Sequence, residues 1–207
     1  RKTGFEIPLG GFLVTHIQSC SNGRIFVAGD DGHLYEITYD SEERWFKKKC
    51  GITDKTSSWL KRIIPAKTKD AQIVSISYDS SRHLLYALNN QNDIRIFNLA
   101  DEDEEENEFR QIAKITRIHE QLCEKSKAFQ TPKKEFSLLS IHPISRQETS
   151  QYFLIAVSTE GYRIYFSIKS NLPDKYPQIS VSHIRLTSEE SSFRAQPSLT
   201  KRFTRAF

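Results

Sequence analysis

The stretch Ile17–Tyr39, IQSCSNGRIFVAGDDGHLYEITY, decides the fold. It opens with a short alternating strand and breaks at the polar turn Ser21-Asn22-Gly23. An apolar strand follows at Ile25-Phe26-Val27-Ala28, then a tight turn at Asp30-Asp31-Gly32 and a third strand at Leu34-Tyr35-Glu36-Ile37. The order recurs in Ile73–Leu99, IVSISYDSSRHLLYALNNQNDIRIFNL, and in Leu138–Ile168, LLSIHPISRQETSQYFLIAVSTEGYRIYFSI. The second strands, Leu84–Leu88 and Phe153–Val157 in the later copies, are almost continuously apolar, which predicts burial on both faces. The turns Asp30-Asp31-Gly32, Gln91-Asn92-Asp93 and Thr159-Glu160-Gly161 align, and their residue types tolerate the positive φ of a two-residue hairpin.

Repetition at this scale is the signature of a propeller. Gly32 to Asp93 is 61 residues and Asp93 to Gly161 is 68, whereas a plain blade takes ~40–50. The surplus is assigned to insertions after the third strands. Arg110–Ile115 and Gln178–Leu186 are candidate fourth strands, giving four per blade. A β-sandwich with similar hairpins is the competing architecture, but three matching units in order favour the propeller. Three blades do not close a ring, since propellers take ~4–8. The expectation is an all-β chain: a partial β-propeller of about three four-stranded blades, with short helical insertions. Residues 1–207 would belong to one domain, with units at about 17–70, 73–127 and 136–187, and 188–207 unassigned. Absence of methionine anywhere in the chain gives the expectation of an internal piece of a longer protein.

The insertions carry the functional candidates. In Thr56–Pro65, TSSWLKRIIP, Trp59, Leu60, Ile63 and Ile64 fall on one helical face, with Ser57, Ser58, Lys61 and Arg62 opposite. Asp54, Thr56 or Ser57 is a candidate cap, and Pro65 a stop. This basic amphipathic turn fits either a bilayer interface or the flank of the propeller. The run Asp101–Glu108, DEDEEENE, reads as a solvated loop, with a basic partner as the alternative. Arg117–Lys127 has helical spacing at Ile118 and Leu122 and fits a cover over a blade edge. The basic and aromatic tail Ser198–Phe207 fits a membrane contact, an acidic partner or a strand of a further blade.

Composition narrows the rest. Thirty Lys+Arg against 26 Asp+Glu leave a formal charge of +4, and the interleaving of signs argues against nucleic acid as a partner. Cys20, Cys50 and Cys123 are distant and odd in number, which favours a reducing compartment over a disulfide framework. No apolar run reaches the ~20 residues of a spanning helix, and a signal peptide is not expected. His16, His33, His83, His119, His142 and His183 show no ligand spacing. Asp30-Asp31-Gly32 lacks the remainder of a calcium loop. With no phosphate-binding or nucleophile motif, neither enzyme activity nor a cofactor is expected.

Gly23–Ile37, GRIFVAGDDGHLYEI, with Trp45-Phe46 and Cys50 after it, resembles the amino-terminal propeller of the large inner-ring scaffold nucleoporins of the nuclear pore complex. Asp79–Leu88, DSSRHLLYAL, and Gly161–Ser167, GYRIYFS, resemble the next two blades, so that the likeness runs from about residue 4 to 186. It implies a non-catalytic scaffold that binds other inner-ring nucleoporins, sits at the nuclear envelope and supports protein and mRNA transport. In that family an amphipathic propeller loop touches the membrane. The matching loop here implies contact through Trp59, Leu60, Lys61, Arg62, Ile63 and Ile64. The alternative is a WD40-like adaptor reading peptides outside the pore, although the units lack the G-H…W-D signature.

Overall fold

The computed structural model describes residues 7, 9–21, 23–39, 50–56, 71–99, 109–130, 136–169 and 178–186. Alternating and apolar runs form twelve strands in three antiparallel four-stranded meanders. The first sheet holds β1 Val14–Ser19, β2 Ile25–Gly29, β3 Leu34–Tyr39 and β4 Cys50–Asp54. The second holds β5 Ile73–Asp79, β6 Leu84–Asn89, β7 Ile94–Asn98 and β8 Arg110–Ile115. The third holds β9 Leu138–Pro143, β10 Leu154–Ser158, β11 Tyr162–Lys169 and β12 Gln178–Leu186. First strands lie innermost, with β1 beside β5 and β5 beside β9, and each sheet steps outward to its fourth strand. These are blades of a propeller. Both expected outer strands are present; β4 was not anticipated from the sequence.

The near-continuous apolar character of β6 has a direct cause. Leu85 and Ala87, with Phe97 and Leu99, pack against Phe26, Ala28 and Leu34 of the first sheet. Tyr86 and Leu88, with Ile94 and Ile96, pack against Ile141, Leu154, Ala156 and Ile164 of the third. Each of the larger aliphatic and phenylalanine side chains contributes roughly 1.5–3 kcal/mol on full burial. At β1 apolar groups stay in solvent: Leu13 and Ile17 are 71% and 69% exposed.

The turns between second and third strands share one geometry. Gly29 N donates to His33 O at 2.9 Å and Gly32 N to Gly29 O at 3.2 Å. Asn89 N donates to Asp93 O at 3.0 Å and Asn92 N to Asn89 O at 3.0 Å. Positive φ falls on Gly32 (84°), Asn92 (65°) and Gly161 (81°), so the equivalent in the second copy is Asn92, one residue before the Asp93 aligned by sequence. The hairpin is a type I-like turn closed by a left-handed residue rather than a two-residue loop. Asn tolerates that conformation nearly as well as Gly, and here its side chain is also used. Asn92 Nδ2 donates to Phe136 O at 3.1 Å, and its Oδ1 accepts Leu138 N at 2.7 Å, clamping the second blade to the third.

The expected helix is α1, Ile118–Lys125, followed by a 3-10 turn at Lys127–Phe129. Ile118 and Leu122 are buried against the second core, as their spacing implied. Gln121 Oε1 accepts Val181 N at 3.0 Å, so α1 covers the edge of β12 and satisfies an otherwise open strand donor. Among the described residues no helix is long and apolar enough to cross a membrane.

The clamp gives a first prediction. Asn92→Ala removes two hydrogen bonds and leaves a β-carbon at positive φ, so it should destabilise the propeller by about 2–3 kcal/mol in denaturant unfolding. Asn92→Gly, which relieves the backbone, should cost less.

Candidate functional site

Trp59, Leu60, Lys61, Arg62, Ile63 and Ile64 lie outside the described residues, as do the acidic run and the tail. The structure does describe the two feet between which the first of these segments runs. The chain leaves β4 through Asp54-Lys55-Thr56 and re-enters at Ala71-Gln72 before β5. In a meander, this fourth-to-first connection opens on the rim that carries the second-to-third turns. The connection bearing the acidic run joins β7 to β8 and opens on the opposite rim.

The first foot is sewn to β3 by hydrogen bonds. Lys55 N donates to Leu34 O at 2.8 Å, and Leu34 N donates to Thr56 Oγ1 at 3.0 Å. Asp54 Oδ1 accepts Thr56 N at 2.9 Å and Thr56 Oγ1 at 3.2 Å, while Asp54 Oδ2 lies 2.6 Å from His33 Nδ1. Asp54 and Thr56, read from sequence as helix caps, are thus engaged with the sheet.

Beside them Glu36, only 7% exposed, is held between two cations. Arg24 Nε and Nη2 donate to its two carboxylate oxygens at 2.5 and 3.0 Å, and Lys55 Nζ lies 2.9 Å from Oε2. Arg24 also covers the Phe26 ring at 5.1 Å. Burial pushes the Glu36 carboxyl up, but the hydrogen bonds from Arg24 and Lys55 outweigh it and hold the group below its ordinary 4.5.

An open groove of about 710 Å³ lies on the same rim, with Phe12, Asp30, Asp31, Tyr35, Asn90 and Gln91 in its wall. Phe12 and Tyr35 stack with centroids 4.0 Å apart and planes 1° from parallel. Tyr35 Oη donates to Asp31 Oδ2 at 2.5 Å; burial, then this bond, raises the phenol above its ordinary value, so it acts as a neutral donor. Asp30 accepts Leu13 N at 2.8 Å. The Phe12–Tyr35 and Leu13–Asp30 pairs were not visible in the sequence, because each joins segments that only the fold brings together, whereas Tyr35–Asp31 is local to one hairpin.

Nothing else described has the form of a reaction centre. Among the described residues no group of three or more His, Cys, Asp or Glu is placed to hold a metal ion. Burial pushes the Cys20 thiol up to about 11, which leaves it protonated and unreactive at neutral pH. The Cys123 thiol donates to Phe129 O at 3.2 Å. The arrangement anchors and presents a connection on the rim of a rigid sheet stack.

Comparison with known proteins gives that scaffold its family. A family model described as Nup133 N terminal like matches residues 2–205. The chain belongs to this nucleoporin family. A probable nucleoporin of Schizosaccharomyces pombe is 30% identical over 168 residues, covering 79% of this chain and 13% of that protein. Nucleoporin NUP170 of Chaetomium thermophilum is 24% identical over 182 residues, 82% of this chain and 12% of its own length. The nucleoporin chain described here therefore spans about an eighth of these relatives. The solved Nup170 NTD–Nup53 complex of C. thermophilum matches with a TM-score of 0.68 at 23% identity, over 84% of this chain and 24% of that one. At that identity the likeness establishes the shared fold.

Glu36 supplies the prediction of this site. Glu36→Ala leaves two half-buried cations without their partner and should cost on the order of 3 kcal/mol. Because the folded pKa is depressed, the wild-type contribution is complete above the ordinary value near 4.5 and is lost as pH falls through the lower folded value. Unfolding measured across that acid range should therefore be less pH-dependent in Glu36→Gln than in wild type.

Proposed function

We propose that this nucleoporin chain is part of a single scaffold propeller of the pore's inner ring, binding other nucleoporins and touching the pore membrane through residues 59–64. Family membership carries the nuclear pore assignment, which is a structural role. The complex of a related propeller with Nup53 supports a nucleoporin partner, and hence a part in transport through the pore. Support for the membrane reading comes from the sequence of the segment and from its feet. Trp59, Leu60, Ile63 and Ile64 offer apolar area, Lys61 and Arg62 offer charge for anionic headgroups, and both feet are hydrogen-bonded to one rim. A rigid mount lowers the entropy lost when a short segment binds a surface.

Vesicle flotation of the full-length protein tests the membrane contact. Trp59→Asp combined with Ile63→Asp removes two apolar groups and should weaken partitioning into anionic vesicles by about 10-fold or more. The folded state and co-purification with other nucleoporins should be retained. Unchanged flotation would sink the assignment.

A further inference from the structure

The outer edge of the third blade is covered over only part of its length. β12 is the last strand of its sheet, and Val181 N is turned away from β11 to Gln121 Oε1. Phe166 O accepts Phe153 N at 3.1 Å, and Tyr162 N donates to Ser158 Oγ at 3.1 Å, so these two residues of β11 turn their peptide groups towards β10. Ile164, between them, does the same, because peptide groups alternate along a strand. β12 bulges at Ser182, and beyond it Ile184 lies opposite Ile164 and Leu186 opposite Tyr162. The N–H and C=O of Ile184 and Leu186 therefore point out of the sheet. They open on a groove of about 570 Å³ against the end of α1, where Lys125, Ser126, Ala128 and Tyr162 stand in the wall and no carboxylate does.

We propose that Ile184–Leu186 is a strand-addition site, taking an extended segment of a partner protein in which acidic and apolar side chains alternate. It is independent of the membrane reading above. In such contacts backbone pairing supplies affinity and alternate side chains supply selectivity. The two faces of an added antiparallel strand meet different surroundings. On the side of α1 stand Ile184 and Tyr162, packed on the core between the second and third blades, and Leu186, 48% exposed; apolar residues fit there. On the other face Arg185 lies directly opposite Arg163, both exposed, and like charges so placed repel. Among the described residues neither arginine, nor Lys125, has a carboxylate within ion-pair distance. A carboxylate opposite Arg185 relieves that repulsion. A second copy of β12, whose charged residues are an arginine and a histidine, would add to it.

The test titrates the full-length protein into two fluorescein-labelled peptides, SVTVEVTS and SVTVKVTS, and follows their anisotropy. In an antiparallel addition the valines turn their N–H groups to β12 and their side chains to α1, and the central Glu or Lys faces Arg185. The glutamate peptide should bind about 5-fold more tightly than the lysine peptide. N-methylation of its valines should weaken it by about 10-fold or more, because the donors to β12 are lost. Amide hydrogen exchange in the segment that holds β12 should slow when the glutamate peptide is added. Arg185→Glu, an exposed change that thermal unfolding should show to be folded, should invert the preference between the two peptides. Arg185→Ser, which should abolish the preference, replaces it if that variant does not fold.

Failure of the glutamate peptide to bind overturns the proposal. So does equal affinity for its N-methylated form, which would mean a contact made without pairing to the strand. Equal binding of the two peptides by wild type, or an unchanged preference after substitution of Arg185, overturns it as well, since the charge at this edge would then select nothing.

Discussion

The inner strands of the second sheet are dry on both faces, and the rest of the molecule follows from that. Tyr86 and Leu88 look towards the third blade while Leu85 and Ala87 look towards the first. A sheet sandwiched in this way has no solvated face on which to place polar chemistry. Its polar groups are driven to the rims, where turns and connections emerge. Asp79 shows the consequence at the rim opposite the groove. It is buried, its Oδ1 accepts the backbone of Ser81 and Arg82, and its Oδ2 takes Arg82 Nη1 at 2.7 Å. The same Arg82 nitrogen donates to Ile144 O at 2.7 Å in the next blade. The second and third blades are therefore joined by apolar packing at the middle and by hydrogen bonds at both ends.

This division accounts for the position of everything assigned a role. The Phe12–Tyr35 stack and the Thr56 foot belong to one rim of the first blade, whereas Glu36 sits mid-strand in β3, opposite Phe26 and Thr53, and takes Arg24 from the first-to-second turn and Lys55 from the end of β4. Each is a long-range or cross-strand arrangement resting on a sheet that does not move with it. Such an architecture divides the work: precision is supplied by the blades and chemistry by the loops.

The blades were legible in the amino-acid sequence because two-sided burial writes itself as uninterrupted apolar runs in β2, β6 and β10, with polar turns between them. Strand β4 was not. CGITD has a glycine and little apolar alternation, and it is held mainly by its ladder with β3. The one-residue offset at Asn92 arose because Asn and Gly both occupy left-handed turn positions, so that side-chain identity alone did not mark the equivalent residue. Of the candidate site, the amphipathic spacing of Trp59–Ile64 was readable, whereas its mount was not. Thr56 and Asp54 have the composition of helix caps, and only the nearness of Leu34 N and His33 across the sheet reveals a different use.

Both long insertions are sealed at the base. Below residues 57–70 the seal is the side-chain rung on Leu34. Below the acidic run it is Phe109, which stacks on Phe97 at 4.6 Å and on Phe26 at 5.5 Å. A sealed base separates what lies above it from the pairing of the strands beneath. Doubling the length of either loop then adds only about 0.6 kcal/mol of closure entropy, with no shift of register. Within this fold, sequence drift has room to lengthen, shorten or recharge these connections, while the strands beneath keep their pairing.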